Sequence, residues 1–173
     1  MKFATSLVQT RFQSPLGIVI AAAGDKGLAG LWFDDQRHLP PELAGAAVWH
    51  TNDDHPLLRR TVNQLEDYFA GTRTVFDIPL DLSHGTPFQQ SVWQALLAIR
   101  PGDTASYGEI SARIGNPAAV RAVGAAVGRN PVTIIVPCHR VMGADGSLTG
   151  YAGGLHRKTA LLTLEGVLEE TIL

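Results

Sequence analysis

One cysteine occurs in the 173 residues, Cys138, inside the run Ile134-Ile135-Val136-Pro137-Cys138-His139-Arg140-Val141. A lone cysteine is most often a small buried hydrophobe. Here an apolar strand is expected to stop at the sulfur, and a titratable imidazole and a guanidinium follow it directly. Positive neighbours lower a thiol's pKa and favour the thiolate, the form that attacks carbon. The run therefore predicts a reactive nucleophile with a candidate base beside it. A single cysteine cannot close an internal disulfide, and six scattered histidines offer no zinc-finger spacing. No metal or cofactor is expected, and the fold must rest on its core.

The elements that have to present this cysteine fall into two halves. Residues 1–85 read as an α/β domain opening with three antiparallel strands, Leu7 to Gln13, Ile18 to Ala23 and Leu28 to Phe33. Ser14-Pro15-Leu16-Gly17 and Gly24-Asp25-Lys26-Gly27 supply the turns. Residues 34–55 read as a surface connection and residues 72–85 as a linker. Between them, Pro56 suits a first helical position, Leu58, Val62, Leu65 and Phe69 form one face, and Gly71 ends the helix.

Residues 86–173 read as a helical domain. Thr86-Pro87-Phe88-Gln89 is a capping box opening a helix with Phe88, Val92, Leu96 and Ile99 on its apolar side. Ser106-Tyr107-Gly108-Glu109 opens a short helix that stops at Gly115, and Asn116-Pro117 starts another that runs to about Val127. Two short helices around a tight Gly-Asn turn make a helix-turn-helix candidate. Val132 to Val136 reads as a buried strand, and a last helix carries Leu161, Leu162 and Leu164 to Gly166.

At about 100° per residue, Val120, Val123, Gly124 and Val127 of the second short helix share one face. The opposite side collects Ala118, Ala122 and Ala125, with Arg121 at one edge and Arg129 just beyond the end. Two readings stay open. Alanine is the best helix former, and this face could pack under another helix. A small-residue face could equally lie close in a DNA groove with its arginine pointing into the duplex. The net charge of −2 argues mildly against nucleic acid, but it is uneven. The first half holds seven Lys/Arg against ten Asp/Glu and the second seven against six, so a DNA contact would have to be local to the second half.

Pro137-Cys138-His139-Arg140 closely resembles the active-site signature of the O6-alkylguanine-DNA alkyltransferases, the methylated-DNA-protein-cysteine methyltransferases. Arg121-Ala122-Val123-Gly124, Asn130-Pro131, Gly150-Tyr151-Ala152-Gly153-Gly154 and Leu164-Glu165-Gly166 extend the match in family order over about residues 86–168. The N-terminal half matches more loosely, through Ser14-Pro15-Leu16-Gly17 and Asp67-Tyr68-Phe69-Ala70-Gly71. The resemblance implies an α+β protein: a ribonuclease-H-like N-terminal sheet with a helix, and a C-terminal winged helix-turn-helix domain.

It further implies that the Cys138 thiolate takes the alkyl group from O6-alkylguanine, and from O4-alkylthymine, in double-stranded DNA. His139 would receive the thiol proton through a water, oriented by Glu165. Tyr107 would donate a proton to the purine, unless it is only an aromatic at a helix start. Because the alkyl group lies inside the stack, the nucleotide must be turned out; Arg121 would fill the gap, and the helix bearing Ala118, Ala122, Ala125 and Arg129 would enter the minor groove. Tyr151, Ala152, Gly153, Val141 and Thr133 would line the pocket, the Ala152 N–H meeting the guanine oxygen and the Cys138 and Val141 carbonyls meeting the exocyclic amine. Asn130 would be the hinge of the cysteine turn, a turn-former before Pro131, or both. Thr133 stands where some relatives have proline, and the zinc site of some relatives has no cysteine here to build it.

Two other functions compete. A cysteine hydrolase using Cys138, His139 and Glu165 would turn over many times, and a binding module would recognise DNA without chemistry. No run reaches the roughly 18 apolar residues of a membrane span. A soluble intracellular monomer is expected, in the cytoplasm of a bacterium or the nucleus of a eukaryote, with cooperativity along DNA left open.

Overall fold

The computed structural model describes residues 1–43 and 49–169, which divide into two compact units, Met1–Gly85 and Thr86–Leu173. In the first unit, β1 (Val8–Ser14), β2 (Gly17–Gly24) and β3 (Gly27–Phe33) form an antiparallel meander, with Val8 opposite Ala23 and Val19 opposite Phe33. The connection after β3 adds a fourth strand that the sequence did not announce: β4 (His50–Thr51) pairs parallel with β1, giving the order β3-β2-β1-β4. Two residues are too few for an alternation pattern to be seen.

One face of this sheet is closed by aromatic rings. Trp32 stacks on Trp49 at 6.0 Å, and Phe3 stands edge-on to both. Gly30 makes this possible, since a Cβ there would lie 1.8 Å from the Trp32 ring. The helix α1 (Pro56–Phe69) buries Leu58, Thr61, Gln64, Leu65 and Tyr68. Its inward stripe is thus rotated from the expected Leu58, Val62, Leu65 and Phe69, because Tyr68 enters the core and Val62 and Phe69 are only half-buried.

Residues 72–85 are no free linker: the Leu28 N–H donates to the Pro79 carbonyl (2.8 Å) and the Asp81 N–H to the Leu28 carbonyl (2.8 Å). The exposed edge of β3 is covered this way.

In the second unit, α2 (Pro87–Leu97) starts on a complete Thr86/Gln89 capping box and buries Val92, Trp93 and Leu96. The Trp93 indole N–H donates to the Ala126 carbonyl at 2.8 Å, tying α2 to α4 (Val120–Gly128). Between them lie β5 (Ala105–Ser106) and α3 (Tyr107–Arg113), the latter capped by the Ser106 hydroxyl on the Glu109 N–H. The helix α4 begins at Val120 rather than at Asn116-Pro117; residues 116–119 form the turn, so Ala118 precedes the helix. Ser111 binds that turn instead, its hydroxyl donating to the Asn116 carbonyl at 2.7 Å. The buried face of α4 is Val123, Ala126 and Val127, whereas Val120 is 41% exposed.

The expected strand over Val132–Val136 is a buried turn. The Val136 N–H bonds the Val132 carbonyl at 3.0 Å, the Ile135 N–H bonds the Thr133 carbonyl at 2.8 Å, and Ile134 sits at φ 71°. Left-handed backbone costs an L-residue roughly 1–2 kcal/mol, and here burial of the apolar run between two prolines offsets it. Continuous apolarity reports burial, and burial does not require a sheet. After the short Cys138–Arg140 turn, β6 (Val141–Met142) pairs parallel with β5, and a Gly-rich loop leads to α5 (Leu155–Leu164). That helix buries Arg157, Lys158, Leu161 and Leu162, while Leu164 is 39% exposed. None of the helices among the described residues is long and apolar enough to cross a membrane.

Candidate active site

Cys138 opens a short 3-10 turn, Cys138–Arg140, that follows the loop from Asn130, and it is 7% exposed. Asn130 holds that loop shut from within. Its side-chain amide donates to the Val136 carbonyl (2.8 Å) and its oxygen accepts from the Val132 N–H (2.9 Å). The two bonds satisfy buried backbone groups of the loop.

His139 is fully buried, its Nε2 2.7 Å from a Glu165 oxygen, and its Nδ1 has no hydrogen-bond partner within the protein. Glu165, at the end of α5, is itself 2% exposed in its side chain and is gripped by Arg140, whose Nε and second terminal nitrogen donate to the two carboxylate oxygens at 2.7 and 3.1 Å. The remaining terminal nitrogen of Arg140 donates to the Ile99 carbonyl at 2.6 Å. The guanidinium therefore serves the glutamate. It was expected beside the sulfur, and the turn directs it away.

That redirection corrects the expected ionisation. Burial pushes the Cys138 thiol above its ordinary value, and the Asn130 side chain, the Lys158 charge and the Thr133 hydroxyl pull it back by less. Burial also pushes His139 below its ordinary value, against the pull of Glu165. The resting pair is thus neutral thiol and neutral imidazole, because desolvation penalises any charge at these depths. His139 Nδ1, one residue along from the thiol, is left without a hydrogen-bond partner.

Thr133 and Tyr151 meet hydroxyl to hydroxyl at 2.5 Å, and burial holds the Tyr151 phenol well above the usual tyrosine range, so it stays a neutral wall. The Tyr107 ring lies beside Gly124 of α4, where a Cβ would stand 3.9 Å from the ring, and its hydroxyl meets Thr149. The Cys138 carbonyl accepts from the Val141 N–H, and the Val141 carbonyl accepts from Lys158 at 2.6 Å. Each keeps a second lone pair for a ligand. The Gly153 carbonyl accepts from Arg157 at 3.2 Å, and Ala152 lies in the turn between Tyr151 and α5.

Ala118, Arg121, Ala122, Ala125 and Arg129 are all exposed, Arg121 on the first turn of α4 and Arg129 at its C-cap. Among the described residues of the second unit no helix covers this face, which counts against one of the two readings left open by the sequence. Among the described residues no three His, Cys, Asp or Glu side chains converge to hold a metal ion.

Sequence reasoning missed Lys158. Its ammonium is fully buried, donates to the Val141 (2.6 Å) and Thr149 (2.7 Å) carbonyls, and burial lowers its pKa to about 8. A signal existed: Lys158, Leu161, Leu162 and Glu165 follow helical spacing on one face.

A helix-turn-helix unit carrying a buried cysteine, with a histidine and a glutamate linked behind it, is the arrangement of DNA-acting transferases whose own cysteine accepts the transferred group, and comparison with known proteins agrees. Residues 87–167 match the DNA-binding domain model, and residues 7–82 the ribonuclease-like domain model, of 6-O-methylguanine DNA methyltransferase. The chain is 51% identical over 152 residues to a methylated-DNA–protein-cysteine methyltransferase of Mycobacterium tuberculosis, covering 88% of each chain. It is 42% identical to one from Haemophilus influenzae, over 94% of this chain and 88% of that one. The crystal structure of Mycobacterium tuberculosis OGT in complex with DNA superposes with a TM-score of 0.81 at 48% identity, over 91% of this chain and 92% of that one. The chain belongs to the 6-O-methylguanine DNA methyltransferase family.

Proposed function

We propose that this protein repairs DNA by direct reversal, moving the alkyl group of O6-alkylguanine, and of O4-alkylthymine, irreversibly onto Cys138, and that it acts as a monomer on double-stranded DNA. The observation that carries this reading is the half-satisfied imidazole: His139 has Nε2 on a buried carboxylate and Nδ1 unpartnered, one residue from the sole thiol. Proton transfer from Cys138, through a water, to Nδ1 creates the thiolate only when substrate is present. The thiolate attacks the alkyl carbon in line; the C–S bond forms as the C–O bond breaks, and the purine leaves with a proton supplied by Tyr107. Glu165 keeps the imidazole in the tautomer that can accept, the orienting role familiar from hydrolase triads. The charge that develops on the purine oxygen is met by donors already in place, the Ala152 N–H among them.

The product is a thioether, which water does not cleave, so each molecule acts once. Tyr151, Gly153, Val141 and Thr133 wall the pocket around the extruded base, and Asn130 keeps the cysteine turn in register. Incubation with excess duplex containing O6-methylguanine is expected to raise the intact mass by one methyl group, on Cys138, and to consume one lesion per protein. Steady turnover beyond one equivalent would instead support a hydrolase.

Arg121 is assigned to the gap left by the extruded nucleotide, and the exposed Ala118, Ala122 and Ala125, with Arg129, to the minor groove. Unstacking costs a few kcal/mol, which the free base does not pay. Arg121→Ala is expected to slow repair of duplex by roughly tenfold or more while dealkylation of free O6-benzylguanine changes less than about twofold, the free base bypassing the flip. Equal losses on the two substrates, read as single-turnover rates, would remove Arg121 from base extrusion.

A further inference from the structure

We infer that Thr149 is a positioning residue for alkyl transfer, its hydroxyl donating into the Tyr107 oxygen so that the phenolic hydrogen is left to point at the purine. The inference rests on the assignment of Tyr107 as proton donor. The contact, 3.3 Å between two oxygens 42 residues apart in sequence, joins the Gly-rich loop to the first residue of α3. A phenol both donates and accepts. An acceptor site already filled by Thr149 orients the remaining hydrogen, and a hydrogen bond received at oxygen polarises the O–H for donation.

Thr149 is not a wandering loop residue. Its carbonyl is held by the buried Lys158 ammonium at 2.7 Å, and the same ammonium holds the Val141 carbonyl at 2.6 Å. The chain between these two carbonyls folds on itself, the Gly143 N–H donating to the Ser147 carbonyl and the Gly146 N–H to the Gly143 carbonyl, both at 2.9 Å. Lys158 therefore anchors both ends of the loop, and the Thr149 side chain leaves that anchor toward Tyr107. The two tyrosines of the site are treated alike: Thr133 meets Tyr151, and Thr149 meets Tyr107. Their roles differ, since Tyr151 is buried as a wall whereas Tyr107 is half-buried and able to reach a ligand.

Single-turnover transfer from O6-methylguanine duplex, measured for Thr149→Val, Thr149→Ser, Tyr107→Phe and the Thr149→Val/Tyr107→Phe double variant, tests the assignment. Losing one neutral hydrogen bond predicts a slowing of roughly threefold to tenfold for Thr149→Val. Thr149→Ser, which keeps the hydroxyl, retains most of the rate, and affinity of Thr149→Val for lesion duplex is unchanged. In the Tyr107→Phe background the valine substitution has no further effect. Thr149→Ala supplies the same deletion should valine disturb the loop. Equal slowing by Thr149→Val in both backgrounds, or a parallel loss of lesion binding, makes the residue structural and overturns the inference. So does a wild-type rate for Thr149→Val while Tyr107→Phe is slow. A wild-type rate for Tyr107→Phe itself defeats the donor assignment, and the role of Thr149 falls with it.

Discussion

Cys138→Ala is expected to end alkyl transfer altogether while leaving affinity for lesion-bearing duplex within about threefold of wild type. The chain has no second thiol. His139, the other nucleophilic candidate, is fully buried with one nitrogen on Glu165, so it cannot take over the attack. Affinity should persist because the surface assigned to DNA, Arg121, Ala122, Ala125 and Arg129, lies on α4 and its cap, outside the cysteine turn. The turn itself should survive the substitution. Asn130 bonds the Val132 N–H and the Val136 carbonyl, main-chain groups that alanine leaves untouched, and the lost volume is a single sulfur atom. Intact-mass measurement after excess O6-methylguanine duplex, paired with a binding titration, checks both halves. Residual methylation would reveal another acceptor, and lost binding would mean that the sulfur supports the fold.

Arg140→Met is expected to be the most destabilising substitution near the site. The guanidinium bonds both Glu165 oxygens and the Ile99 carbonyl, and its side chain is 7% exposed against 2% for the glutamate. Removing it leaves a buried carboxylate facing a histidine that burial keeps neutral. Breaking one side of such a pair typically costs about 3–5 kcal/mol, mostly the desolvation of the charge left behind. For a unit of this size the melting temperature should fall by on the order of 15 °C.

The sharper expectation concerns the double variant. Arg140→Met with Glu165→Gln should recover part of the lost stability, because neutralising the carboxylate removes the uncompensated charge. It should not recover transfer, because the glutamine amide no longer provides the anion that orients His139. Thermal or urea unfolding of the two variants beside single-turnover rates separates these roles. A double variant less stable than Arg140→Met alone would show that the cost lay in packing rather than charge.

What could be read before folding is what depends on a few neighbouring residues. The Thr86/Gln89 capping box, the Ser106 cap, the meander turns and the grouping of Ala122 and Ala125 on one side of α4 all follow from local rules of backbone bonding and helical spacing, whereas the exposure of that side does not. The Pro137-Cys138-His139-Arg140 run singled out the candidate nucleophile and its candidate base. Where local rules failed, the competing effect was tertiary. The apolar run 132–136 folds into a turn because Asn130 reaches back to satisfy it, and β4 exists only because β1 lies beside it.

Composition and spacing by themselves determined which groups are present: one thiol, a neighbouring imidazole, a glutamate at the end of the last helix and arginines at the two ends of a short helix. Only the tertiary structure decided their charge and company. Arg140 turned from the sulfur to Glu165, Lys158 entered the interior to hold two carbonyls, and the thiol rests protonated. The reason is that ionisation follows desolvation and partners brought from as far as 41 residues away, and neither is encoded in the residues next to the group that titrates.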